Sequence, residues 1–386
     1  MQKRIPAILM RGGTSKGLFF HANHLPAEPA LRDAVLLAAY GSPDVNRRQM
    51  DGVGGGVSTA SKVAVISPSP APEYDVVYNF GQVSIDRPMV DFKGNCGNIS
   101  SAVGPFAIDE GLVDALEPFT SVRIHQKNTN KLIVAEVPVK DGRFNEDGEY
   151  EISGVPGTGS RITLRFVDPG GSLTGRLFPT GNQRDVLEVP GLGEVELTII
   201  DAANPVVLLP AALLDLKGTE IEEIDTGESI KAKLELIRCA AAVQLGLAET
   251  MEEATLRCQA VPKIGVVAAA TDYATLGGKV IDSRDIDLMG RIMSMGTLHK
   301  AYAVSGGVAT AGAAMVAGTV VHDLLKPEAR GKEMLKIGHP GGIIEVGAVM
   351  EKINGEIRYR EAVLGRTARR LMEGYVLVPE KIFEIG

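Results

Sequence analysis

Short apolar runs at residues 5–10 and 18–20 predict two strands joined by the polar, glycine-rich loop Arg11-Gly12-Gly13-Thr14-Ser15-Lys16-Gly17. A helical period then sets in over 31–40 and stops at Gly41, the residue type that most easily ends a helix. β-Branched, partly alternating runs follow at 62–67, 74–80, 82–85, 121–125 and 132–139, separated by Gly, Pro, Asn and Asp. Between them one apolar helix is predicted over 98–109, opening after Gly94-Asn95-Cys96-Gly97 and closing at Gly111.

The second half repeats this plan. Strands are predicted at 194–201, 206–209 and 264–269, and the clearest amphipathic helix of the chain at 230–245. A turn at Ser305-Gly306-Gly307 opens a helix of small residues running to 325, and strands at 343–350, 356–361 and 375–378 close the chain. Each half thus holds strands, one glycine-rich turn and one small-residue helix that starts there. This loose duplication puts a boundary near 181–188, and a chain of 386 residues at ~150 per domain agrees with two domains.

Composition narrows the function classes. Hydrophobic residues make up 45% and charged residues 23%, enough for two cores and incompatible with global disorder. Glycine, at 45 residues, is well above the usual ~7% and implies many sharp turns or close backbone approaches. Aromatics at 5%, no Trp and a net charge of −8 without a basic run argue against nucleic acid and anionic membrane as partners. An anionic small molecule stays compatible, because a pocket sets its own local field. No apolar run approaches the ~18 residues of a membrane span, and no secretory segment follows Met1. Cys96, Cys239 and Cys258 form no CxxC pair and no disulfide framework. The expectation is a soluble, cytoplasmic protein with reduced thiols.

The candidate chemistry lies at the glycine-rich segments. The loop 11–17 is not a phosphate loop, which needs glycine directly before its lysine and a helix after it. Its cations and hydroxyls suit carboxylate recognition; a solvated tight turn is the alternative. The second cluster, 51–62, breaks the dinucleotide fingerprint at Val57. So many glycines before Lys62 suggest backbone amides facing a ligand. Lys62 enters the apolar run Val63-Ala64-Val65-Ile66, and a lysine against apolar surface can be held neutral by desolvation to act as a general base. Alone, a strand-end lysine reaching water would be the plainer reading. Cys96, flanked by glycines at a helix start, sits where the helix dipole favours a thiolate. The same amides could hold an anionic group. Cys239 and Cys258 read as structural. The six histidines show no ligand spacing, so no metal is expected, although His339 stands in a turn before a strand. No GxSxG elbow is present.

Together, Met10-Arg11-Gly12-Gly13-Thr14-Ser15-Lys16-Gly17, Gly41-Ser42-Pro43-Asp44, Gln49-Met50-Asp51-Gly52, Ser61-Lys62-Val63-Ala64 and Gly94-Asn95-Cys96-Gly97-Asn98 resemble the PrpF family. The likeness continues through Phe178-Pro179-Thr180-Gly181-Asn182, Asp201-Ala202-Ala203-Asn204-Pro205 and His339-Pro340-Gly341, nearly the whole chain. That family includes methylaconitate, methylitaconate and oxalomesaconate isomerases or tautomerases. The resemblance implies an α+β, diaminopimelate-epimerase-like fold: two pseudo-symmetric domains, each a mostly antiparallel sheet around a central helix, with the site between them. The domains are expected at 1–183, to which the C-terminal strand 375–386 can return, and 184–374.

The resemblance also implies cofactor-independent transfer of a proton across a C=C bond of a small unsaturated di- or tricarboxylate. Lys62 matches the family's acid/base lysine, and Cys96 the thiol in the same cleft. Arg11, Thr14, Ser15, Ser58, Ser61, Asn95, Gly97, Asn98, Asn204, Lys300, Ser305, Gly306, Gly307 and His339 are expected to bind substrate. Amides at the two helix starts would stabilise the developing oxyanion. A homodimer or higher homo-oligomer is compatible with this reading. Where the chain has Ala60-Ser61-Lys62 and His339-Pro340-Gly341-Gly342, family members often carry Thr-Ser-Lys and His-Pro-Ser-Gly. One rival is a racemase or epimerase on the same fold, but two opposed thiols are disfavoured because Ser305-Gly306-Gly307 holds no cysteine. The other is a non-catalytic ligand-binding or accessory protein, which would need neither Lys62 nor Cys96.

Overall fold

The computed structural model describes residues 1–384 and divides into two compact units. Met1–Leu164 and the chain from Gly365 onward form the first unit, and Arg165–Leu364 the second. Sequence placed the boundaries at 183/184 and 374/375. Residues beyond 164 are tied into the second unit by buried Asp201, whose carboxylate accepts from the Leu173 and Thr174 amides at 2.8 Å and from the Ser172 hydroxyl. Residues before 375 are tied into the first, because the strand Ala368–Pro379 pairs along the whole of Gln2–Gly12.

Strand pairing in the first unit runs Ala368–Pro379, Gln2–Gly12, Ser15–His21, Lys62–Pro68, Val76–Val83, Phe119–Gln126, Lys131–Lys140. Successive neighbours are antiparallel, antiparallel, parallel, antiparallel, parallel, antiparallel. The second unit runs Asp185–Val189, Gly193–Ala202, Asn204–Pro210, Lys263–Ala269, Leu288–Ser294, Met334–His339, Gly342–Ile353, with the same order of senses. The duplication faintly visible in sequence is therefore a duplication of topology.

A parallel neighbour cannot be reached by a hairpin, so each parallel pair requires a crossover. The first crossover of each unit carries an amphipathic helix, Pro29–Tyr40 and Glu228–Gln244 respectively. Pro29–Tyr40 ends at Gly41 in the left-handed conformation, where sequence placed the stop. The second crossover carries the central helix. In the first unit Phe106 of Val103–Asp109 packs on Phe19 with centroids 5.7 Å apart. On its other flank a Cβ at Gly104 would lie 2.7 Å from Val137. The sheet thus curls around the helix. In the second unit Val304–Ala314 is buried along its whole length, and a Cβ at Gly312 would lie 2.6 Å from Tyr359.

Several elements differ from expectation. The loop expected at 11–17 is a tight hairpin: Arg11 pairs with Lys16 and Gly12 with Ser15, leaving Gly13 and Thr14 as the turn. The helix expected over 98–109 is two pieces, Gly97–Ser100 and Val103–Asp109. The Ser101 and Ala102 amides bond three residues back instead of four, and Pro105 has no N–H for the Ser101 carbonyl. The helix expected over 305–325 also divides, into Val304–Ala314 and Val320–Leu324, at the left-handed Gly318 and the capping Thr319. The two strands expected at 74–80 and 82–85 are one, Val76–Val83, which runs through Gly81. Ile162–Val167, Asp185–Val189, Leu288–Ser294 and Met334–His339 are strands that the pattern missed.

Candidate active site

Lys62 opens the strand Lys62–Pro68, and Gln82 faces it across the antiparallel pair. Lys62 Nζ donates to Gln82 Oε1 at 3.1 Å and to Cys96 Sγ at 3.4 Å. The group is nearly dry: Lys62 is 6% and Cys96 8% exposed, and Nζ lies 5.3 Å from the Phe80 ring centroid. Gln82 Nε2 donates to the carbonyls of Ser61 at 2.9 Å and Ser58 at 3.1 Å. With its nitrogen so held, the amide keeps its oxygen towards the lysine. Burial first, and the nearby Cys96 second, push the Tyr78 phenol well above its usual value, so it stays protonated.

Cys96 is the N-cap residue of Gly97–Ser100. The dipole expected there from a long helix is that of a single turn, because of the break before Pro105. The glycines at 52–56 also serve a different purpose. Buried Gln49, absent from the sequence-based site, accepts from the Gly56 amide at 3.0 Å and lies 2.7 Å from Ser61 Oγ. A Cβ at Gly54 would lie 2.3 Å from its amide group. Ser61 is fully buried on Gln49, so its hydroxyl organises the loop; Ser58 contributes its carbonyl to Gln82.

The predicted residues Arg11, Thr14 and Asn98 meet at the first hairpin. The Thr14 amide donates to Asn98 Oδ1 at 3.3 Å, and Asn98 is buried beside Gly97 and Asn95. Asn95 Oδ1 lies 3.4 Å from the Ser100 hydroxyl. Arg11 Nη1 lies 3.0 Å from the Gly13 carbonyl and from the carbonyl and hydroxyl of Thr367, so it braces the turn. Arg366, unsuspected from sequence, is buried next to Gly13, and desolvation lowers its pKa from the usual 12.5 to about 10.

In the second unit, Asn204 Nδ2 donates to Ser305 Oγ at 3.0 Å, and both are buried. This contact mirrors Thr14–Asn98, since both link the first hairpin of a unit to the start of its central helix. Ser305, Gly306 and Gly307 lie inside the helix, not in a turn before it. A Cβ at Gly306 would meet Ile292 at 2.2 Å, so its bareness serves packing. His339 is buried, its ring 6.3 Å from that of Tyr302, and its Nδ1 accepts from the Gly341 amide at 3.1 Å. Lys300 is over half exposed and pairs with Asp225. Among the described residues, no cluster of three or more His, Cys, Asp or Glu could hold a metal ion. Among the described residues, no helix is long and apolar enough to cross a membrane.

A dry amine on a thiol and an oriented amide oxygen, beside a hairpin rich in hydroxyls and arginine, can exchange a proton with a bound anion. Several known proteins are similar to the chain over nearly its whole length. The model described as "PrpF protein" matches residues 2–379. A 3-methylitaconate isomerase of Eubacterium barkeri is 45% identical over 98% of both chains. A 2-methyl-aconitate isomerase of Shewanella oneidensis is 42% identical over 98% of both. The crystal structure of a methylitaconate-delta-isomerase, 44% identical, superposes with a TM-score of 0.78 over 99% of this chain and 97% of that one. A hydroxyproline epimerase from Agrobacterium vitis, only 13% identical, has a TM-score of 0.55 over 98% and 94%. The diaminopimelate-epimerase-like fold expected from sequence is the fold observed.

Proposed function

The chain belongs to the PrpF family, and from that premise we propose that it is an isomerase that shifts a C=C bond within a small unsaturated di- or tricarboxylate of the methylitaconate or methylaconitate type. The reading rests on one observation above all: a buried lysine amine in contact with both a thiol and a fixed amide oxygen. Neutral Lys62 takes a proton from the carbon next to the C=C bond. The electron pair left behind spreads through the alkene into the carboxylate as a dienolate. The ammonium of Lys62 returns the proton to the far end of the allyl system, and the double bond has moved.

Each neighbour has a part in this cycle. Gln82 Oε1 accepts one N–H of Lys62 and Cys96 Sγ another, which leaves the lone pair of the amine for the proton of the substrate carbon. Cys96 packs against the same nitrogen and keeps water from it, a supporting rather than an essential part. No step calls for a metal or a nucleotide. A positioned acid/base typically contributes ~10²–10⁴-fold. Lys62→Met, which keeps the length and loses the titratable amine, should lower turnover of 3-methylitaconate or 2-methylaconitate by that factor with the fold unchanged. Cys96→Ser should remain measurably active. A Lys62→Met enzyme with wild-type turnover would remove lysine from the mechanism; equal loss in both variants would replace it with a two-base one.

A further inference from the structure

Among the described residues three arginines are buried: Arg238, Arg291 and Arg366. Two of them are satisfied by the fold. Arg238 forks onto the Glu235 carboxylate at 2.7 and 2.6 Å and onto the carbonyls of Cys258 and Ala254. Arg291 has no carboxylate, but its three nitrogens reach the carbonyls of Glu220, Gly290, Gly338 and Thr219, and it stacks 5.0 Å from the Tyr273 ring. Arg366 is different. Its one hydrogen bond runs from Nη1 to the adjoining Gly365 carbonyl, and Nε is buried with no partner.

A buried charge without a counter-ion is among the costliest features a fold can hold. Tyr150 favours the charged form, but desolvation outweighs it. A Cβ at Gly13 would lie 3.2 Å from Arg366 Cδ and 2.2 Å from Asn98 Oδ1, so the Gly13-Thr14 turn sits between the two side chains. Thr14 Oγ1 and Ser15 Oγ, on that turn and just after it, are also buried without partners. Three orphaned polar groups, one of them cationic, therefore belong to residues within two positions of Gly13 in the chain or packed against it. Asn98 carries this cluster to Gly97 and Cys96, and Cys96 to Lys62.

We propose that Arg366, with the hydroxyls of Thr14 and Ser15, forms a carboxylate-binding subsite, and that Arg366 recognises one carboxylate of the substrate. The guanidinium fork matches a carboxylate in two parallel hydrogen bonds, and the hydroxyls donate to its remaining lone pairs. This assignment rests on the polycarboxylate reading above. It also explains Arg11, whose bracing of the Gly13 carbonyl fixes the turn on which two of the three groups stand.

The test compares wild type with Arg366→Met, Arg366→Gln and Arg366→Lys. Thermal unfolding is followed with and without propane-1,2,3-tricarboxylate, a saturated and unreactive tricarboxylate, and KM and kcat are measured with 3-methylitaconate. Losing charged hydrogen bonds to one carboxylate should raise KM roughly 10–100-fold, with a smaller change in kcat. The ligand-induced rise in Tm should vanish in Arg366→Met and Arg366→Gln and return in part in Arg366→Lys. Without ligand, Arg366→Met should melt no lower than wild type, because it removes an uncompensated charge. A lower Tm would make Arg366 a structural residue and overturn the subsite, as would wild-type KM and a wild-type ligand shift in Arg366→Met. If wild type is stabilised by the tricarboxylate through Arg366 yet isomerises nothing, the subsite stands and the proposed reaction falls. Isomerisation with a KM indifferent to Arg366 gives the reverse outcome.

Discussion

Gln82 accepts from Lys62 only because its nitrogen is held by the Ser58 and Ser61 carbonyls. Replacing it with leucine removes the oxygen acceptor of the buried amine and one donor each from the Ser58 and Ser61 carbonyls, at a cost of about 1–3 kcal/mol for an unmade hydrogen bond. Where that cost falls on the orientation of Nζ, Gln82→Leu should lower kcat roughly 5–100-fold with little change in KM. Steady-state kinetics decide this: a change in KM alone would place Gln82 in binding instead. For Arg366, the fall from 12.5 to about 10 corresponds to roughly 3 kcal/mol against the charged form, at ~1.4 kcal/mol per unit. Its folded pKa is depressed, so the penalty is full and independent of pH near neutrality and is relieved only as pH rises through about 10. The ligand-free Arg366→Met protein should therefore gain stability, up to that order, in denaturant titrations at pH 7. Lys62 and Cys96 were legible in sequence because glycines frame them and an apolar run follows the lysine. Gln82 and Arg366 were not: Gln82 reads only as the opening residue of a strand, and no motif or pattern in the chain singles out Arg366.

At the scale of elements, the first parallel pair holds the site in register. Gly17 lies opposite Lys62, and a Cβ there would stand 1.8 Å from the Lys62 carbonyl oxygen. No rotamer change relieves a clash with backbone. Overpacking typically costs ~1–3 kcal/mol and sometimes more, so Gly17→Ala should reach at least the upper end of that range, read as a lowered denaturant midpoint. It should also cost activity in the fraction that stays folded, since the displaced atom belongs to Lys62 itself. A neutral Gly17→Ala would mean that the two strands can part here without consequence. The amphipathic helices and the apolar strands were legible because their periods are clear over many residues. The breaks were not, since mostly small residues run through both central helices and only Pro105 and Gly318 lie near where the hydrogen-bond ladder stops. The strand Leu288–Ser294 was masked by Gly290 and Arg291, two residues whose suitability depends on Tyr302, Tyr273 and distant carbonyls.

Over the whole molecule, the two units share one order of strand senses but not one chemistry. At the start of the central helix the first unit carries Cys96 and the second Ser305. The other two thiols, Cys239 and Cys258, are buried in a separate apolar cluster with Ala242, Ala248 and Ala254. The opposed thiols of a racemase are thus missing from equivalent positions, although the fold is one that an epimerase shares. Duplication was legible as a repeated plan of strands and small-residue helices, while the pairing senses that establish it depend on long-range partners no local pattern reveals. The molecule's net charge of −8 also conceals the local field at the first hairpin, where Arg11 and Lys16 are paired across the strands and Arg366 lies against the turn. Because exposed charges are screened over ~8–10 Å in physiological salt and buried ones less, KM for a polycarboxylate should rise only modestly between 0.05 and 0.5 M salt, roughly 2–5-fold. A steep dependence would point to surface steering in place of the buried Arg366. The central claim, that Lys62 carries the migrating proton, is tested most directly by incubating 3-methylitaconate with the protein in D₂O and following the carbon-bound hydrogens by NMR. The account predicts deuterium at the allylic positions with wild type and none above the uncatalysed background with Lys62→Met; wild-type exchange in Lys62→Met would contradict it.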